Sequence, residues 1–322
     1  MNPVKKINPL TRWTLIVPLT LVLASCLNGR GEMPRKQEIS PVPSSPETEL
    51  ATPRPSATPA PSLRPTETAL PTLPPSSTPT PTPEVRTCPN AQGTLASFSL
   101  NSTVLGGTLE GTIYLPPCYQ AQRSPGYPAL YLLHGIMNSE QQWLDLGLPE
   151  AADQLIQEGE IMPLLVVMPR EENWDLPRVS AYGQAVVEEL VPWVEEHFHA
   201  SPAPGDRALG GISRGGNWAL RLGFLHGEMF AAVGAHSAPV FAGDVRKLSG
   251  WVEELAADEV PRFYLDIGAD DQGGAYTRQA EQELSRMGVV HDWHLFPGTH
   301  DQDYWRSHLP DYLRWYGQVL SP

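Results

Sequence analysis

The pentad Gly211-Ile212-Ser213-Arg214-Gly215 carries the strongest chemical signal in the chain. It lies between a short apolar run, Ala208 to Ile212, and the stretch Asn217 to Leu225, whose apolar residues recur at helical spacing. A serine on so tight a strand-to-helix turn has a strained backbone. Side chains two residues to either side would collide with the turn, so glycines stand there. The turn lifts the Ser213 hydroxyl out of the sheet. It also sets the hydroxyl beside the first N–H groups of a helix, which favour a developing negative charge. This is the chemistry of acyl transfer through a serine nucleophile.

Such a hydroxyl needs a base to take its proton, and the base needs a third group to orient it. Of the nine histidines, His300 in Phe296-Pro-Gly-Thr-His300 falls on the loop just after the last apolar run, which makes it the candidate base. His291 and His294 lie in or beside that run and read as buried structural residues. His308 falls inside a terminal helix, and His226 in the helix after the pentad. His197 and His199 stand two apart on a helix and face different ways, which weakens a metal-pair reading. His236 ends a strand and could line a pocket, but it precedes any acid in the chain order serine, acid, histidine. The acid is expected on the loop Gly268-Ala-Asp-Asp271. Only one of Asp270 and Asp271 should reach His300, leaving the other free to cap the next helix; turn geometry alone does not choose between them.

These residues need a frame. Thr94–Leu100 and Leu109–Leu115 alternate and are joined by turn residues, which predicts an antiparallel hairpin. Continuous apolar runs follow at 129–133, 164–168, 208–212, 231–235, 263–267 and 293–296, as expected of strands covered on both faces. Helical stripes lie between and after them. One is Val186 to Phe198, kinked at Pro192; another is Ala280, Leu284 and Met287; a third runs from Trp305 to Leu320. The alternation predicts an α/β fold: a mostly parallel, doubly wound sheet with helices on both faces and an antiparallel N-terminal hairpin. Sites in such sheets lie at the carboxyl ends of the strands, where Ser213 falls.

The amino-terminal part has other purposes. Lys5, Lys6 and Arg12 precede the apolar run Leu15–Ala24, which is short of the ~20 residues a membrane span needs and reads as a secretory signal. Leu23-Ala24-Ser25-Cys26 is similar to a bacterial lipobox, so residues 1–25 are expected to be removed and Cys26 to carry lipid. Between Pro34 and Pro83, 15 of 50 residues are proline and none is aromatic. Residues 26–87 therefore read as a disordered Pro/Thr/Ser-rich tether, and 88–322 as one globular domain on an extracytoplasmic lipid anchor. With Cys26 assigned to the anchor, Cys88 and Cys118 form an even pair in an exported domain and are expected to make a disulfide. A formal charge of −14 argues against nucleic acid as a partner.

Six stretches together resemble the Putative esterase (esterase D-like) family within the α/β-hydrolase fold. They are Tyr114-Leu-Pro-Pro-Cys-Tyr119, Tyr131-Leu-Leu-His-Gly135 with Trp143, Glu189-Leu-Val-Pro192, Gly211-Ile-Ser-Arg-Gly-Gly216, Asp266-Ile-Gly-Ala-Asp-Asp271, and Gly298-Thr-His300 with Trp305. The resemblance covers about Ile113 to Trp315 and implies a serine esterase. By the family's Gly-x-x-Asp pattern the acid is Asp271. The backbone N–H groups of Ile136 and Arg214 would form the oxyanion hole. No metal or other cofactor is expected. The substrate would be a small-molecule or glycan ester. An acyltransferase on the same acyl-enzyme, or a non-catalytic surface binding protein on a hydrolase scaffold, are the competing expectations.

Overall fold

The computed structural model describes residues 92–241 and 243–320. The expected signal segment 1–25, the tether 26–87 and the cysteines Cys26 and Cys88 lie outside the described residues. Within them, eight strands form one sheet in the order β1-β2-β4-β3-β5-β6-β7-β8. The strands are β1 (Thr94–Ser102), β2 (Gly107–Leu115), β3 (Ala129–Leu133), β4 (Leu165–Pro169), β5 (Arg207–Ile212), β6 (Ala232–His236), β7 (Arg262–Gly268) and β8 (His291–Phe296). The β1–β2 hairpin is antiparallel, with Thr94 opposite Leu115, and β2 runs antiparallel to β4. From β4 to β8 every pairing is parallel.

The central strands β3, β4, β5 and β6 are buried at every position, which is why they are apolar without alternation. Successive side chains still go to opposite faces. On β3, Tyr131 and Leu133 join one core with Trp218 and Phe224, while Leu130 and Leu132 join the other with Trp143, Tyr312 and Tyr316. The second core is supplied by α1 (Gln141–Asp145), α2 (Leu148–Gln157) and α8 (Gln302–Val319). The first lies beneath α3 (Tyr182–Ala185), α4 (Val191–Phe198), α5 (Arg214–Leu225), α6 (Leu248–Glu254) and α7 (Gly274–Met287).

Two local features refine the expectations. The Pro192 kink takes the form of a widened turn, Val186–Leu190, which joins α3 to α4 with the Val191 N–H donating to the Val186 carbonyl. The wide turn makes room for a ring that has no N–H and crowds the preceding carbonyls. Glu189, on that turn, accepts from the Thr103 N–H at 2.9 Å, the Thr103 hydroxyl at 2.6 Å and the Val104 N–H at 3.1 Å, so the β1–β2 turn is tied to the helix. His226 is the C-cap of α5 and not a residue within it. No helix among the described residues is long and apolar enough to cross a membrane.

Candidate active site

Ser213 is the N-cap of α5, at φ 54° and ψ −113°. A non-glycine residue holds such angles only when its surroundings fix them. Here the Ser213 N–H donates to the His236 carbonyl at 2.8 Å, and the flanking glycines let three backbone segments meet. A Cβ on Gly211 would lie 2.3 Å from the Gly215 carbonyl carbon, and one on Gly215 would lie 2.0 Å from the Leu133 carbonyl oxygen. Any side chain at either position would push the helix off the sheet. The same close approach brings the start of α5 against the end of β3.

The Ser213 Oγ lies 2.9 Å from His300 Nε2, and His300 Nδ1 lies 2.7 Å from Asp271 Oδ2. A carboxylate only accepts, so Nδ1 carries the imidazole proton and Nε2 is left to accept from the serine hydroxyl. Asp271 is almost wholly buried whereas the His300 side chain is 35 % exposed, so the acid is shielded and the base is open to solvent. Asp271 Oδ1 accepts the Gly273 N–H at 2.7 Å, which fixes the carboxylate's plane. His300 also packs against the Trp305 ring at nearly a right angle, 5.1 Å between centroids. The next residue, Asp301, caps α8 by accepting the Tyr304 N–H at 2.9 Å. A hydrogen bond from the Thr299 hydroxyl, joined by the Tyr304 N–H, holds the Asp301 carboxyl below its usual range.

The loops after β3 and β4 close around the other side of Ser213. Gly135 donates its N–H to the buried Gln142 side chain at 2.8 Å, and a Cβ on Gly135 would lie 3.7 Å from the Ile212 carbonyl. Ile136 follows, exposed, in this loop. Arg214, the first residue of α5, turns its side chain away from solvent. Its Nε and Nη2 donate to Glu171 at 2.8 and 2.6 Å, and Nη2 also donates to the Asp175 carbonyl at 2.7 Å. The Trp218 indole N–H donates to Glu171 at 3.1 Å, and the Glu171 N–H donates to His134 Nε2 at 2.9 Å. Burial pushes the Glu171 carboxyl up, against the pull of Arg214, and burial pushes His134 down. A cavity of about 500 Å³ opens beside the triad between Pro239, Asp270, Gly273, Thr299 and His300. A second, also about 500 Å³, lies beyond Glu171 and is lined by Thr108, Arg170, Glu172, Asp175 and Tyr182.

The structure thus brings Ser213, Asp271 and His300 together and leaves Asp270 out. Asp270 is exposed, and its N–H donates to the Gly298 carbonyl at 3.0 Å. It does not cap α7 either: the N-cap there is Gly273, with no side-chain cap, and Asp271 takes the Gly273 N–H instead. His236 does not line the pocket. It is fully buried, bonded to Asp266 at 2.7 Å and to the Tyr316 hydroxyl at 3.0 Å, because β6 lies inside the sheet under α8. Sequence reasoning missed Glu171, His134 and Gln142 as supports of the site. The available signal for Glu171 was the charged run Arg170-Glu171-Glu172 directly after an all-apolar strand, at 165–169. Among the described residues no group of three or more His, Cys, Asp or Glu side chains is placed to hold a metal ion.

Residues 102–316 match the model of the family described as Putative esterase. An acetyl esterase of Caldicellulosiruptor saccharolyticus is 22% identical over 236 residues, 61% of this chain and 85% of the relative. An endo-1,4-beta-xylanase/feruloyl esterase of Xylanibacter ruminicola is 26% identical over 160 residues, covering 46% of this chain and 22% of that much longer protein. Among solved structures, a ferulic acid esterase aligns with a TM-score of 0.63 at 25% identity, over 71% of this chain and 98% of that one. The S-formylglutathione hydrolase of Staphylococcus aureus aligns with a TM-score of 0.59 at 20% identity, over 70% and 98% of the two chains, a likeness of fold. With a nucleophile elbow at the carboxyl edge of a mostly parallel sheet and a family match spanning 102–316, the chain belongs to the Putative esterase family, carboxylic-ester hydrolases on the α/β-hydrolase fold.

Proposed function

We propose that this esterase works through an acyl-enzyme on Ser213 and is held outside the cytoplasm by lipid on Cys26. The observation that carries the catalytic reading is the relay from Ser213 Oγ to His300 at 2.9 Å and on to Asp271 at 2.7 Å, open on one side to a cavity. His300 Nε2 takes the hydroxyl proton as Oγ bonds to the ester carbonyl carbon. The carbonyl oxygen becomes an oxyanion, received by the N–H groups of Ile136 and Arg214. Collapse breaks the bond to the alkoxy oxygen, which leaves with the proton returned by His300. Water then repeats the sequence, with His300 as base, and frees the acid and Ser213. Asp271 keeps the imidazole in the tautomer that accepts from serine and stabilises the imidazolium.

Acylated glycans are the substrate class we favour, because similar proteins are named acetyl esterase and feruloyl esterase. The amino-terminal features support the location: a basic and apolar leader, the Leu23-Ala-Ser-Cys26 box, and a proline-rich stretch that would hold the domain off a membrane. Cys118 is disulfide-bonded, which supports its pairing with Cys88 once Cys26 is assigned to lipid. The test is a panel of aryl and glycan esters with the full chain and its Ser213→Ala variant, run with and without added acceptor alcohols. Turnover of one ester class, lost in Ser213→Ala, is expected; turnover that survives the substitution would sink the reading. Mass spectrometry of the membrane fraction checks the anchor, which a Cys26→Ser variant should lack.

A further inference from the structure

The two proposed oxyanion donors, Ile136 on a loop and Arg214 at the start of α5, are 78 residues apart in the chain, yet one buried circuit joins them. It starts at the Gly135 carbonyl, one residue before Ile136. His134 Nδ1 donates to that oxygen at 2.9 Å, closing a tight local ring that shapes the loop. His134 Nε2 accepts the Glu171 N–H at 2.9 Å, and the Glu171 carboxylate receives two parallel bonds from the Arg214 side chain, at 2.8 and 2.6 Å. Arg214 is the second donor's own residue. His134, Glu171 and Arg214 are all more than nine-tenths buried. The guanidinium is further enclosed by the rings of Trp174, Trp218 and Phe241, at 5.8, 5.9 and 5.5 Å from their centroids.

A buried ion pair of this kind is a poor source of net stability, because desolvating both charges offsets most of their attraction. Burial indeed pushes Glu171 up in spite of Arg214. What the pair supplies is direction. A planar guanidinium gripped at two nitrogens cannot rotate, so the Cα and the N–H of Arg214 are held relative to Glu171. The Glu171 backbone in turn holds His134, and through it the loop that carries Ile136. An oxyanion hole acts only while its donors point at the place where charge will form, without rearranging to get there. We infer that Glu171 is a positioning residue that locks the N–H groups of Ile136 and Arg214 into one oxyanion hole, with His134 and the Arg214 side chain as its two arms. The inference rests on the esterase reading above.

Glu171→Gln alone strands a buried guanidinium and could unfold the chain, so the decisive variant is the double Glu171→Met/Arg214→Met. It replaces the pair by apolar groups of similar length and keeps both backbone donors, an exchange that buried ion pairs commonly tolerate. The assay compares a carboxylic ester with its thionoester in the full chain, since sulfur is a much weaker hydrogen-bond acceptor than oxygen. The expected result is a fall in kcat on the ester on the order of 10- to 100-fold, with little change in KM, because the lost interaction exists only in the transition state. The thionoester should slow far less, so the ester-to-thionoester ratio of kcat/KM drops. His134→Phe should move the ratio the same way. Glu171→Asp, which keeps the charge but retracts it, should fall between the double variant and wild type. A folded double variant with unchanged kcat and ratio overturns the inference, as does a loss confined to KM. Turnover that persists in Ser213→Ala would instead remove the esterase reading, and this inference with it.

Discussion

The sheet carries two relays of the same chemical composition. In one, the Ser213 hydroxyl, His300 and Asp271 are linked at 2.9 and 2.7 Å. In the other, the Tyr316 hydroxyl, His236 and Asp266 are linked at 3.0 and 2.7 Å. Each places a hydroxyl on Nε2 and a carboxylate on Nδ1, so distances alone do not separate a reactive centre from a piece of core. Surroundings do. His300 is partly open to a cavity, and its serine sits on a strained turn at the amino end of a helix. His236 and Asp266 are wholly buried, and Asp266 Oδ2 also accepts from the Tyr304 and Tyr312 hydroxyls at 2.7 and 2.8 Å. Burial pushes the Tyr304, Tyr312 and Tyr316 hydroxyls up, so they keep their protons and donate them to Asp266 and His236. A triad therefore needs an accessible hydroxyl and a place for the charge it creates. The second relay, lacking both, fastens α8 to β6 and β7.

Equivalent substitutions in the two relays should separate these roles. Asp271→Asn would leave the His300 imidazole in the wrong tautomer and lower kcat by ~10²–10⁴ while the fold persists. Its neighbour makes the internal control, since Asp270→Asn alters an exposed side chain and should leave both kcat and stability near wild type. Equal losses in the two variants would mean general damage to the loop after β7 and would defeat the assignment. Asp266→Asn should show the reverse pattern. Placing an amide among three donors should cost about 3 kcal/mol or more in unfolding free energy, read by denaturant titration. The folded fraction should turn over substrate at close to the normal rate. A large loss of kcat without loss of stability would make the second relay part of the reaction.

A smaller effect sharpens the contrast between an exposed and a buried histidine. Burial lowers the pKa of His134, whose charged neighbours are Glu140, Arg170 and Arg214. An unfolded chain therefore binds a proton at this site at higher pH than the native chain does. Stability should be fully present above about 6.5 and decline as pH falls toward the lowered native value. Protonation would also cost the Glu171 N–H its acceptor. His134→Gln should flatten this acid limb in plots of Tm against pH; an unchanged limb would place its origin elsewhere.

Much of this was legible before any coordinates. The central strands appear as unbroken apolar runs because both of their faces are covered, and every predicted strand end lies within two residues of the observed one. Glycines mark the elbow because no other residue fits between Gly211, Gly215 and Leu133. Turn geometry alone did not choose between Asp270 and Asp271, since a turn sends adjacent side chains in different directions; the family's Gly-x-x-Asp pattern pointed to Asp271, the one that faces His300. The supports of the site were hidden for another reason. Glu171 meets His134 and Arg214 across 37 and 43 residues, and one carboxylate within the charged run Arg170-Glu171-Glu172 gives no hint of a partner so distant. His236 was misjudged because a polar residue at a strand's end resembles a pocket residue until the helix covering it is known.

The hydroxyl of Tyr316 has a consequence for how the molecule assembles. It occupies the space where side chains of Gly210 and Gly234 would be, within 1.9 and 1.8 Å of the Cβ positions those residues lack. The centre of the sheet is thus left hollow by its own strands and is filled from a residue at the far end of the chain. Strands β5 and β6 can pair early, but the layer beneath the nucleophile stays unfilled until α8 arrives. Contacts so far apart in sequence close slowly. A growing chain would therefore hold Ser213 in a loose and inert setting, and hydrolytic competence would appear only as α8 docks.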